Sequence, residues 1–154
     1  MNILKTNRDN WSALIARLTI AIVIFPHGAQ KLFGWFSGYG FTGTMGFLTG
    51  MVKLPYVLAV LVILIESIGS LLLFFGFLSR IAALGILGLF IGIIFKVHLA
   101  NGFFMNWNGN QKGEGIEYFL LLLSLALIVL IGGGGKASVD AAITKNRSNI
   151  NKLK

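Results

Sequence analysis

Apolar residues fill this chain in long unbroken blocks, not at the alternating or three-to-four-residue intervals of half-buried strands and helices. The first block starts at Trp11 and runs through WSALIARLTIAIVIF to Pro26, and the pattern predicts a kinked helix continuing through HGAQKLFGWF. Apolar spans fall at about residues 11–33, 54–77, 80–100 and 116–133. A helix needs about 20 residues to cross about 30 Å of hydrocarbon, so the first and last blocks must borrow flanking residues. A few residues around Gly76 to Arg80 join the second block to the third, which makes those helices antiparallel neighbours. The expectation is an all-α protein, an integral membrane four-helix bundle.

Two longer connections interrupt the blocks. Residues 37–53, SGYGFTGTMGFLTGMVK, form either a short interfacial or re-entrant helix or a plain flexible loop. Residues 101–115, NGFFMNWNGNQKGEG, mix turn formers with Phe103, Phe104 and Trp107, aromatics suited to the head-group level. The first block is read as a retained span and not a secretory leader, because Arg17 lies inside it and no small-x-small cleavage site follows.

Composition supports the membrane reading, with 56% hydrophobic and only 12% charged residues. The net charge of +8 is concentrated at the chain ends and between blocks, which fits lipid head groups and topology signals and argues against nucleic acid. Four spans put Lys5, Arg8, Arg80, Lys136, Lys145, Arg147, Lys152 and Lys154 on one side, against Lys31, Lys53 and Lys112 in the opposite loops. The positive-inside rule then makes both termini cytoplasmic. Residues 1–10 become a short cytoplasmic N-terminus, 11–135 the transmembrane domain and 136–154 a basic cytoplasmic tail. The chain has no cysteine, which excludes disulfide exchange and thiolate catalysis.

Glu66, inside LVILIESIGSLLLFFGF, poses the chemical question. An ionisable residue in a span is costly and marks a cavity, a proton path or a ligand site, unless it merely staples helices. Counted from the expected span ends, Glu66 lies about 18 Å and Arg17 about 21 Å from the outer face, so the two are expected to pair. Arg17, Ile24, His27 and Lys31 fall close to one helical stripe. His27, Lys31, Lys96, His98 and Glu117, with Glu114 nearby, gather at the outer ends. There they either line the mouth of a polar site or, for Lys31 and Lys96, snorkel to the head groups. Two histidines without ligand spacing do not make a metal or haem site.

These positions together resemble the DoxX family of small four-span bacterial membrane proteins, over about residues 15–142. The likeness rests on Arg17 followed by FPHGAQKLFG, on ESIGSLLLFFGFLSR, on the His98 end of the third block, on GIEYFLLLL and on GGGGKASVD. Arg17, Gly28, Lys31, Glu66, Gly69, Gly76, Arg80, His98, Glu117, Ser138 and Asp140 match the family pattern. GGGGKASVD departs from it, since relatives more often carry a proline between the glycines. The resemblance implies a bacterial cytoplasmic (inner) membrane location and, by analogy with subunits of a thiosulfate:quinone oxidoreductase and with partners in oxidative-stress complexes, quinone-linked redox work.

The leading expectation is therefore a membrane subunit that binds a quinone or other amphipathic molecule. Arg17 and Glu66 would form its polar core, and His27, Lys31, His98 and Glu117 its mouth. A small transporter or proton-conducting channel, and a non-catalytic anchor or assembly factor for a soluble redox partner, are the alternatives. Membrane lipids and a second copy of the chain are further candidate partners.

Overall fold

The computed structural model describes residues 4–144. Most of the basic tail, including Lys145, Arg147, Lys152 and Lys154, lies outside the described residues. Among those described there are helices and turns but no strand. The elements are α1 (Trp11–Phe33), α2 (Gly40–Gly46), α3 (Tyr56–Phe75), α4 (Ser79–Asn101), α5 (Glu117–Gly132) and α6 (139–144).

Local chemistry explains the limits of these helices. The Asn10 side chain accepts a hydrogen bond from the Ala13 N–H and caps α1, and Gly34 ends it in the left-handed conformation at φ +74°. Pro26 sits inside α1 without ending it, so the helix reaches 23 residues. Pro55 precedes the first turn of α3, and Gly76 at φ +66° closes its last turn. Leu78 and Ser79, at the start of α4, have no local cap. Their N–H groups donate instead to Asp140 on α6.

Helices α1, α3 and α4 are each long and apolar enough to cross a membrane. Helix α5 is apolar but has 16 residues, about 24 Å at helical rise. The four close into a ring in which α1 and α4 each pack on both α3 and α5. Ala16, Ile20, Ile24, Leu73, Ile86, Leu122 and Ala126 fill the centre. Each is nearly inaccessible, so the middle of the bundle is dry and well packed.

The 37–53 connection folds into α2, which runs on as a wider π-helical turn over Phe47–Met51. Its Met45 and Leu48 are buried with Ala59, Val62 and Ile63 of α3, forming a second small core at the Lys31 end. The helical alternative of the two left open is the one the chain adopts. The first and last described segments meet at the other end. Thr6 Oγ1 donates to the Gly132 carbonyl and accepts from the Gly135 N–H, and Arg80 reaches the carbonyl of Lys5.

Candidate functional site

Glu66 is buried, with its side chain 3% exposed, and its Oε2 is paired with Lys31 Nζ. The pairing follows from how α1 and α3 cross. Gly28 lies directly on the Glu66 peptide: a Cβ there would come within 2.5 Å of the Glu66 carbonyl and the Ser67 nitrogen. Lys31, one turn further along α1, is thereby brought over the carboxylate. Glu66 also sits in a π-helical turn, Ile65–Gly69, where one extra residue widens the helix. Such turns recur at functional sites. Buried Ser67 and Ser70 fold back onto this turn, donating to the carbonyls of Ile63 and Glu66. Tyr118, half-buried near the start of α5, lies within electrostatic reach of Glu66. Sequence reasoning passed over it.

The expected Arg17–Glu66 pair does not exist. Arg17 belongs to the opposite end of the bundle, where its five N–H groups all meet backbone carbonyls. Nε donates to Gly134 at 2.8 Å, Nη1 to Leu73 at 3.0 Å and to Phe74, and Nη2 to Lys136 at 3.2 Å and Ala137 at 2.8 Å. The Leu73 and Phe74 carbonyls belong to the last turn of α3, where Leu73 also accepts from the Gly76 N–H, so Arg17 ties that helix end to the exit loop. The error came from levelling the span ends. Helix α1 continues past Pro26 to Phe33, and its contact point with Glu66 is Gly28, about 16 Å from Arg17. With every donor committed, Arg17 is architecture.

Asp140 completes this closure. It is 1% exposed, and its carboxylate accepts from the N–H groups of Leu78 and Ser79 and from the Ser79 hydroxyl at 2.7 Å. Gly76 admits the arrangement, because a side chain there would strike Ser138. Ser138 and Asp140 stood in the pattern without a role; their partners, mostly backbone groups, carry no mark in the sequence.

The other expected mouth residues do not converge on Glu66. His27 is exposed and makes no hydrogen bond to the described residues. His98 stacks on Phe119 at 4.4 Å, and its Nδ1 is 2.8 Å from the Glu114 carbonyl oxygen. Glu117 Oε1 accepts from the Met105 N–H at 3.1 Å and from Trp107 Nε1 at 3.2 Å. Together with Glu114, which accepts from the Asn106 N–H, they fold the 102–116 connection. Lys96 is exposed. Two surface hollows also lie away from the pair. One of about 380 Å³ falls within the 104–111 loop, and an apolar one of about 350 Å³ is lined by Ile68, Leu71, Phe75 and Val139.

Three apolar helices of spanning length around a buried ion pair define a multi-pass membrane protein. Residues 12–99, which include Arg17, Gly28, Lys31 and Glu66, match the DoxX family model. A protein of Bacillus subtilis (strain 168) named "Putative oxidoreductase CatD" is 32% identical over 138 residues, covering 90% of this chain and 91% of that protein. "Inner membrane protein YqjF" of Escherichia coli (strain K12) is 28% identical over 142 residues, covering 89% and 95% respectively. No solved structure matches. The chain belongs to the DoxX family and resides in the bacterial cytoplasmic membrane.

Proposed function

We propose that this protein is a four-span membrane subunit of a quinone-linked redox system, binding a quinone or a similar amphipathic molecule at the Lys31–Glu66 pair. In this topology α5 is the fourth span. The end that gathers Lys5, Arg8, Arg80 and Lys136 faces the cytoplasm, which leaves the pair in the outer half of the bilayer. The observation that carries the reading is the ion pair itself. Glu66 is almost fully enclosed among apolar helices, while Lys31 remains 27% exposed and open to a visitor.

The residues fit a quinone head group. A bound quinone would supply two-electron, two-proton chemistry. Lys31 Nζ can donate to a ring oxygen, Glu66 can exchange a proton with it, and Tyr118 stands close by. With no cysteine in the chain, electron transfer needs a cofactor or a partner to supply the electrons. The name of the Bacillus subtilis relative points the same way. A proton-conducting channel draws less support. Ile20, Ile24 and Leu73 fill the stretch between Glu66 and Arg17, and the buried Ser67 and Ser70 hydroxyls there donate to carbonyls of their own helix and not to a relay.

Native mass spectrometry of the gently extracted protein, with quinone and lipid analysis, tests the reading. The wild type should retain a quinone or amphipathic ligand that Glu66→Gln loses while its bundle stays folded. Equal occupancy in both proteins would overturn it.

A further inference from the structure

Glu66 uses only one of its two oxygens. Oε2 takes the Lys31 ammonium, whereas Oε1 receives no hydrogen bond from the described residues. Every fully sealed side-chain oxygen and nitrogen among the described residues has a partner, so Oε1, which has none, is not fully sealed. Lys31 in turn spends one N–H on Glu66 and makes no other hydrogen bond to the described residues. The pair thus offers a carboxylate oxygen that lacks a donor beside an ammonium with donors to spare.

A hydroxyl satisfies both with one atom: it donates its proton to Oε1 and accepts from Nζ. A carbonyl answers Lys31 alone and turns a second lone-pair-bearing oxygen towards Oε1, leaving a nearly buried carboxylate oxygen desolvated. We propose that the Lys31–Glu66 site discriminates by oxidation state and holds the hydroxyl-bearing hydroquinone in preference to the quinone. This rests on the quinone reading given above and adds its direction: the site is occupied by the reduced form and empties on oxidation. A lipid alcohol presents the same donor and acceptor, but its hydroxyl is a weaker acid than a phenol and makes the weaker bond to a carboxylate.

Equilibrium binding to the full chain in nanodiscs distinguishes these cases. The probes are a short-tailed para-benzoquinone, its hydroquinone kept reduced under anaerobic conditions, and a long-chain aliphatic alcohol. The wild type should bind the hydroquinone about tenfold or more tightly than the quinone, the worth of one charge-assisted hydrogen bond. It should also bind the hydroquinone more tightly than the alcohol. Glu66→Gln should bring the hydroquinone and quinone affinities together. Equal or reversed hydroquinone and quinone affinities in the wild type would overturn the preference while leaving quinone binding intact. An alcohol bound as tightly as the hydroquinone would reassign the site to lipid hydroxyls and overturn it as well. Binding of neither ring would remove the quinone reading and the preference with it. The wild-type ratios decide these outcomes even where the variant fails to fold.

Discussion

Arg17 and Lys31 stand about four turns apart on the same helix, and the protein treats their charges in opposite ways. Arg17 is 1% exposed and spends every N–H on a carbonyl drawn from α3 and the exit loop. Lys31 keeps donors free, and the carboxylate it holds keeps an oxygen free. A saturated buried charge can only stabilise what surrounds it. An unsaturated one retains affinity for something that is not yet there. The contrast sets the architectural part of Arg17 beside the binding role proposed for Lys31.

The sharpest way to break this comparison is at the saturated end. Arg17→Met should destabilise the bundle by about 3–5 kcal/mol, the range for dismantling a buried charged network. Denaturant unfolding in micelles would measure it. A loss no larger than that of Glu66→Gln, which leaves the 27% exposed Lys31 without its partner, would erase the distinction. Asp140→Ala removes three bonds at the start of α4 and should cost about 2–3 kcal/mol. Hydrogen exchange at Leu78 and Ser79 would report it locally, and unchanged protection there would contradict the assigned cap. Gly28→Ala forces a methyl group into the Glu66 peptide and should cost about 1–3 kcal/mol. Unlike Asp140→Ala it should also weaken ligand binding, since it displaces the carboxylate; a stability loss with full binding would show that the Gly28 contact does not position Glu66. The smallest effect belongs to Glu117→Ala, about 0.5–1 kcal/mol. Freed from Glu117, Trp107 should change its fluorescence while ligand affinity stays within twofold.

Much of the fold was legible because hydrocarbon-length apolar blocks and glycine stops act locally. Gly34 and Gly76 end α1 and α3 by their own backbone freedom, and both are visible as letters. The candidate site was legible only in its members. Lys31 and Glu66 stood out as ionisable residues in apolar surroundings, but their pairing depends on where two helices cross, and that is decided by Gly28 meeting a peptide group. Arg17 was misassigned for the same reason: its partners are carbonyls, which every residue possesses and no side chain announces. The π-helical turn at Ile65–Gly69 likewise has no local signature in IESIG.

The closure around Arg17 also bears on how the chain is made. Three of its five acceptors lie 117, 119 and 120 residues downstream. A ribosome-bound precursor therefore carries a guanidinium with only its two α3 acceptors until residues 134–137 have been translated. Nascent chains cut short before Gly134 should be handed to membrane quality control, however well their earlier helices have inserted.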